Sequence, residues 1–204
     1  MLPNSITSQI NASGILRVFD QSIADWHKEP SSPSGPWPNE LRSLLDLHRA
    51  NFDLWHEEDK ARDPIATDAA IAEVKRNIDR FNQQRVDSLE QFDAMLFQLL
   101  AEYGLPNPAA PLHSETPGIM VDRLSILSLK LYHTQEEIDR ANATVEHKDR
   151  NRERLGILNQ QRADLADCLN VLWQQVLDGQ RSFKLYRQLK MYNDPTLNPV
   201  LYSK

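Results

Sequence analysis

Residues 82–85 read Asn-Gln-Gln-Arg, and the same four residues return at positions 159–162. The same shift of 77 positions aligns residues 47–56 (LHRANFDLWH) with residues 124–133 (LSILSLKLYH), which are identical at the first, eighth and last positions. A match at one offset over two separated segments indicates an internal repeat. The repeat decides the fold, because it predicts that one structural unit occurs twice.

Residues that interrupt helices are scarce in this chain. It contains six glycines, and most of its twelve prolines lie in three clusters, so the segments between them are expected to form long helices. The repeated unit contains two such helices, which form one antiparallel hairpin. We therefore predict an all-α protein in which two copies of a helical hairpin form a pseudo-twofold four-helix bundle, with extra N-terminal and C-terminal helices.

We interpret the chain as a single domain over residues 1–204. Capping residues mark the boundaries of the helices within it. Asn39, Thr67 or Asp68, and Thr116 before Pro117 are predicted to begin helices, and Gly104 and Gly179 to follow helix ends. The predicted parts are an N-terminal helix (1–28, starting at Asn4 or Ser5), a proline-rich linker (29–38), the first hairpin (39–103), the second hairpin (116–179), and a basic aromatic helix with an extended tail (180–204). The turn inside the second hairpin is placed near residues 141–144.

Each hairpin carries one arginine in the middle of an apolar seam. Apolar residues follow one another at alternating spacings of three and four along the third helix, and Arg85 interrupts them, as Arg162 does in the copy. The offset of 77 is eleven heptads, so the duplication preserves the register of the seam. Because a guanidinium keeps its proton at physiological pH, a buried arginine needs an anion or several acceptors beside it.

Two interpretations of these arginines are open. In the structural one, Arg85 pairs with Asp46 and Arg162 with Asp122, and the ion pairs fix the register of the hairpins. In the functional one, both guanidinium groups face a central cavity and bind a phosphate, a carboxylate or a sugar phosphate. Asn82 and Asn159 would then be their neighbours in the binding site.

Two further patterns are compatible with metal sites. Asp53 and His56 share a helix face, but the repeat places Lys130 at the position of Asp53, which disfavours a symmetric two-metal site and places His56 and His133 at a helix flank. The carboxylates of Glu57, Glu58 and Asp79 are similar to the Mg²⁺ sites of all-α nucleotide pyrophosphohydrolases. An acidic run followed by lysine and arginine is more often a solvated face, so we expect no metal or other cofactor, with Mg²⁺ as the alternative.

Composition excludes several classes of function. The chain has 29 acidic and 23 basic residues and a net charge of −6, which does not favour a nucleic-acid partner. It has no apolar run long enough to span a bilayer and no signal-peptide pattern, and its single cysteine, Cys168, forms no internal disulfide. These observations predict a cytoplasmic protein.

Three motifs resemble a family of bacterial proteins of unknown function. They are LHxxNxxLWxxEDxAR at residues 47–62, TPGxMxDRLSIL at residues 116–127 and KMYNDPxLNP at residues 190–199. The resemblance implies that the polar positions Asp79, Arg85, Asp122 and Arg123 belong to the family pattern. It also implies a link to glycosyltransferase gene clusters, and hence a role around surface-polysaccharide assembly, without implying any catalytic residue.

Three hypotheses of function follow. The first is a non-enzymatic helical protein that binds an anionic small molecule or a protein partner through its duplicated polar centre, in support of surface-glycan assembly. The second is a metal-dependent phosphohydrolase that uses the three carboxylates named above. The third is a structural homodimer held together by helix faces. The predicted binding residues of the first are Asn82, Arg85, Asp122, Arg123, Asn159 and Arg162.

Overall fold

The computed structural model describes residues 11–31, 42–189, 191 and 194–203. These residues form helices and no β-strand, which confirms the predicted all-α fold. None of the helices in the described ranges is both long and apolar enough to cross a bilayer. The helices are α1 (Ala12–Lys28), α2 (Arg42–Lys60), α3 (Asp68–Ala101), α4 (Pro117–Asp139), α5 (Val145–Leu177) and α6 (Pro199–Tyr202).

The predicted N-terminal ends of α3, α4 and α5 and the predicted glycines after two helix ends are confirmed. The side chains of Thr67 and Thr116 accept hydrogen bonds from backbone N–H groups in the first turns of α3 and α4, and Thr144 does the same for α5. Gly104 and Gly179 have φ angles of 68° and 70°, the left-handed conformation expected after a helix end. The turn of the second hairpin therefore lies where it was predicted.

The first helix among the described residues begins at Ala12. Asn11 has an extended backbone, and its side-chain oxygen accepts a hydrogen bond from Ser13 N, so Asn11 is the N-cap of α1. The predicted start at Asn4 or Ser5 lies outside the described residues. The predicted cap Asn39 and residues 32–38 of the linker lie outside them as well.

The two hairpins form a four-helix bundle. Helix α2 packs along α3, α4 packs along α5, and α2 and α4 contact each other between the hairpins, while α1 packs mainly on α4 and α5. The main core lies between these helices. Its largest fully buried side chains from the hairpins are Leu44, Leu47, Phe92, Leu96, Leu100, Leu124 and Leu169, and α1 contributes Phe19.

Helices α2 and α4 meet at positions related by the repeat. His48 Nδ1 lies 2.7 Å from Ser125 Oγ, 77 residues away, and the ring centres of His56 and His133 are 5.5 Å apart. Phe52 and Leu129, also separated by the repeat offset, share a second small core cluster. Contacts at one constant offset require the two helices to run parallel. A twofold axis along the bundle would produce this arrangement, and the duplication itself stays a prediction from the sequence.

The predicted C-terminal helix is wrong. The segment 181–189 is not helical, because it pairs with the proline-containing loop before α4: Ser182 N donates to Pro111 O at 3.0 Å, and His113 N donates to Ser182 O at 2.7 Å. Prolines prevent that loop from satisfying its own carbonyls within a helix. The segment also buries Phe183, so it docks on the core as expected but in extended form. The short α6 lies within the stretch predicted to be an extended tail.

The start of α4 depends on a glycine that lies against a buried carboxylate. Gly118 N donates to Asp93 Oδ1 at 2.7 Å, and the hydroxyl of Thr116 donates to Asp93 Oδ2. A Cβ at position 118 would lie 2.6 Å from Asp93 Oδ1. We expect Gly118→Ala to lower the free energy of unfolding by about 2 kcal/mol, because the displaced carboxylate loses buried hydrogen bonds.

The matched control for this substitution is Gly156→Ala. Gly156 is exposed within α5, and nothing lies within 4 Å of the Cβ that alanine would add. Alanine should therefore stabilise the protein by up to about 1 kcal/mol through helix propensity alone. Urea unfolding of both variants checks the difference, and equal stability of the two would contradict the role given to Asp93.

Candidate functional site

Arg85 is held by Asp122 across the interface between the hairpins. Its Nε donates to Asp122 Oδ1 at 2.8 Å, and its Nη2 donates to Asp122 Oδ2, so the carboxylate forms a bidentate pair with one edge of the guanidinium. The Asp122 side chain is 8% exposed and that of Arg85 is 29% exposed. Hydrogen bonding to this carboxylate raises the pKa of Arg85. The predicted pairing of Arg85 with Asp46 is wrong.

The Asp122 carboxylate belongs to a buried chain of hydrogen bonds. Asn51 Nδ2 donates to Asp122 Oδ1 at 2.9 Å and lies 3.0 Å from Ser125 Oγ, which in turn bonds His48 Nδ1. His48 Nε2 lies 3.2 Å from the carbonyl oxygen of Phe19, which can only accept, so the proton is on Nε2 and Ser125 donates to Nδ1. Burial lowers the pKa of His48 to about 3, and the ring is neutral at physiological pH. The network connects Arg85 of α3 to three other helices, α1, α2 and α4.

Arg162 has a different carboxylate partner. Its Nη1 donates to the two carboxylate oxygens of Asp20 at 2.8 and 3.0 Å and to Ser128 Oγ at 3.3 Å. The predicted pairing with Asp122 is therefore wrong. The repeat places Leu45 at the position of Asp122, so the second arginine lacks the equivalent carboxylate and takes one from α1.

The two arginines line two separate clefts, so they do not converge on one central cavity, which was the functional interpretation. The cleft at Arg85 has a volume of about 420 Å³, and the one at Arg162 about 250 Å³. Asp20 and Ile23 of α1 line the second cleft, which accounts for its smaller size. Six pairs of lining residues are related by the repeat offset: Asn51 and Ser128, Leu54 and Leu131, Trp55 and Tyr132, Glu58 and Gln135, Asn82 and Asn159, Arg85 and Arg162.

The structure thus brings together most of the predicted binding residues, but in two groups. Asn82 and Arg85 line the larger cleft, Asp122 is buried behind Arg85, and Asn159 and Arg162 line the smaller cleft. Arg123 belongs to neither cleft. Its Nη1 donates to both carboxylate oxygens of Glu115 at 3.0 and 3.1 Å, on a different face of α4 from Asp122. That placement follows from the helix itself, since adjacent residues point about 100° apart.

The carboxylates of the alternative metal site do not converge. Glu57 accepts from Lys60 at 2.7 Å and from Asn77 at 3.2 Å, Glu58 accepts from Arg62 at 2.8 Å, and Asp79 pairs with Lys75. Among the described residues, these three do not form a group with ligand atoms close enough to share an ion. The interpretation of the acidic run as a solvated face with local ion pairs fits Glu58 and Asp79, whereas Glu57 pairs locally with Lys60 but is buried.

Three histidines form a cluster that was not predicted from the sequence. His27 of α1 lies beside His56 of α2 and His133 of α4, with candidate ligand atoms all within 4.8 Å of one another. The repeat relates His56 to His133 and could have indicated that they meet on its axis. Nothing in the sequence pattern links His27 to them.

Comparisons with known proteins identify the family and nothing beyond it. Residues 41–185 match the family described as "Protein of unknown function (DUF4254)". No curated protein and no solved structure matches the chain. The matched residues contain both hairpins and the larger cleft. The chain therefore belongs to the DUF4254 family.

Proposed function

We propose that this protein is a binding protein for a small hydroxyl-rich ligand, such as a sugar or a sugar phosphate, and that the ligand occupies the cleft at Arg85. The observation that carries the proposal is a fixed guanidinium in the wall of an open cleft of about 420 Å³. Asp122 uses two of the five guanidinium N–H donors, Nε–H and one on Nη2. The edge that carries Nη1 is not used by Asp122.

The other lining residues favour a hydroxyl-rich ligand over a simple anion. Arg85 and Arg62 are accompanied by Glu58, Asp59 and the Asp122 carboxylate, so the site carries no excess of positive charge. Carboxylate, amide and guanidinium groups together both accept and donate hydrogen bonds, as hydroxyl groups require. The Trp55 ring supplies an apolar surface in the same cleft.

A ligand of this class suits a role around surface-polysaccharide assembly, the context implied by the motif resemblance. The fixed carboxylates give no support to the phosphohydrolase hypothesis, since Glu57, Glu58 and Asp79 are each engaged locally. The proposal is therefore a non-enzymatic one. A protein partner that presents a carboxylate to the same cleft is the competing outcome of the test below.

The test is isothermal titration of the full chain with a panel of neutral monosaccharides, sugar 1-phosphates and inorganic phosphate. We expect binding of at least one sugar or sugar phosphate, and Arg85→Gln to weaken it by about tenfold or more, because a hydrogen bond to a charged group contributes roughly 1.5–3 kcal/mol. Circular dichroism establishes that the variant is folded.

The matched control is Arg162→Gln, which changes the equivalent residue of the smaller cleft. It should leave the affinity within about twofold of the wild type, because α1 and Asp20 already occupy that site. The proposal would be overturned if no compound of the panel binds, or if the two variants lose affinity equally. Binding of phosphate alone would assign the cleft to a simple anion and contradict the ligand class.

A further inference from the structure

The histidine cluster is formed by one residue from each of three helices. The ring centres of His27, His56 and His133 lie 5.2, 5.2 and 5.5 Å apart, so the three rings form a nearly equilateral triangle. Three imidazoles that bind one ion tetrahedrally at about 2.0–2.1 Å have ring centres roughly 5 Å apart. The observed spacing is that of a three-histidine metal site.

The hydrogen bonds made by the Nδ1 atoms fix the tautomer of each ring. His27 Nδ1 lies 2.8 Å from Ile23 O, and His56 Nδ1 lies 2.8 Å from Phe52 O. A carbonyl oxygen only accepts, so both Nδ1 atoms carry the proton. His133 Nδ1 lies 2.7 Å from a carboxylate oxygen of Glu136, which requires the same tautomer. In the neutral rings all three Nε2 atoms therefore hold lone pairs.

Two of these lone pairs have no partner within the described part of the chain. His27 Nε2 and His133 Nε2 are buried and accept no hydrogen bond from any described residue. A buried acceptor left unsatisfied costs free energy, and such groups in folded proteins usually have a functional or ligand-related explanation. A cation that accepts several lone pairs at once would satisfy them together.

Aromatic packing holds the rings in place. His133 stacks on Trp55 with ring centres 4.7 Å apart and an interplanar angle of 5°, and His27 stacks on Tyr132 at 4.4 Å. Phe52 contacts the rings of both His27 and His56. Rings fixed on three different helices need little rearrangement to bind one ion, which is the condition for a preorganised site.

We propose that His27, His56 and His133 bind one divalent transition-metal ion of the zinc type through their Nε2 atoms. Neutral imidazole is a preferred ligand of zinc and its neighbours in the d-block, whereas Mg²⁺ and Ca²⁺ require oxygen ligands. Protons donated from Nδ1 to backbone carbonyls and to a carboxylate are the usual second shell of metal-binding histidines. With three protein ligands, a fourth position is left for water or an exogenous ligand.

This inference is independent of the proposed function, and its test uses zinc itself. The full chain is stripped with a chelator and titrated with Zn²⁺ in competition with a chromophoric chelator. We expect one tight equivalent of Zn²⁺ in the wild type. His27→Gln and His133→Gln should each weaken binding by about 100-fold or more, since losing a ligand should cost at least as much as the 10–100-fold that second-shell changes cost.

The matched control is His147→Gln, because His147 bonds Glu137 on the surface and lies outside the cluster. It should bind Zn²⁺ as the wild type does. If the ligand variants fail to fold, Glu136→Gln replaces them, and it is expected to lower the affinity for Zn²⁺ by about 10–100-fold.

X-ray absorption of the zinc-loaded wild type should show three imidazole ligands. A chain that binds no stoichiometric Zn²⁺, a control as weak as the ligand variants, or a spectrum without imidazole ligands would overturn the proposal.

Discussion

Replacing Arg85 alone with leucine is expected to lower the free energy of unfolding by about 3 kcal/mol. The substitution leaves Asp122 buried, with the Asn51 amide as its remaining hydrogen-bond partner. Breaking a buried ion pair by removing one partner typically costs roughly 3–5 kcal/mol. We place the effect at the lower end because the Arg85 side chain is 29% exposed and solvent screens part of the interaction.

The double variant Arg85→Leu, Asp122→Leu should recover most of this loss. The two introduced leucines can pack against each other at an interface that already contains the apolar side chains of Leu54 and Leu129, and no buried charge is left without a partner. Urea unfolding of the wild type, the two single variants and the double variant completes the thermodynamic cycle. A double variant as unstable as Arg85→Leu would show that the residues act separately and would contradict the ion pair as described.

Two buried groups are expected to give the stability of this protein opposite pH dependences. The folded protein keeps His48 neutral down to about pH 3, against an ordinary pKa of 6.5, so the unfolded chain binds more protons in that range. The free energy of unfolding therefore falls as pH falls below 6.5, by up to about 5 kcal/mol at pH 3, since one pKa unit corresponds to about 1.4 kcal/mol.

Asp93 has the opposite effect on the pH dependence of stability. Burial raises the pKa of its carboxyl from 3.8 to about 6, so the folded protein binds more protons between these values, and stability falls as pH rises through them. Between pH 4 and 6 the two effects largely cancel. Asp93→Asn removes one of them, and we expect this variant to lose about 2 kcal/mol between pH 6 and pH 4 relative to the wild type.

Urea unfolding at pH 7, 6, 5 and 4 checks these slopes. His48→Gln serves as the counterpart, because it should reverse the slope by leaving Asp93 unopposed, whatever its effect on stability at pH 7. Parallel pH profiles for the wild type and both variants would mean that neither buried group titrates as argued.

The parts of the fold that depend on neighbouring residues were predictable. Thr116 before Pro117, Thr67 and the two glycines after helix ends each act on the adjacent turn of backbone, and each lies where the sequence placed it. The prediction of a helix over residues 181–189 was wrong. Basic residues at intervals of three are typical of a helix, but the conformation of this segment is determined by hydrogen bonds to the backbone of a distant proline-containing loop.

The sequence was sufficient to predict the two arginines of the candidate site but not the carboxylates with which they pair. The repeated interruption of the seam identified Arg85 and Arg162 from the sequence alone. Their partners depend on how the hairpins and α1 pack together: Asp122 comes from the other hairpin, and Asp20 from a helix outside the repeat. For the same reason His27 carried no signal, since the pattern of one helix does not specify which residue of another will face it.

Binding of a hydroxyl-rich ligand in the cleft at Arg85 is tested most directly by the indole N–H resonance of Trp55. The chain has four tryptophans, whose side-chain signals separate in a ¹H–¹⁵N spectrum and are assigned by comparison with Trp55→Phe. Titration with the monosaccharide and sugar 1-phosphate that bind best should shift the Trp55 signal in a saturable way and leave that of Trp173, in the main core, unchanged. Binding that leaves the Trp55 signal unmoved would contradict the account.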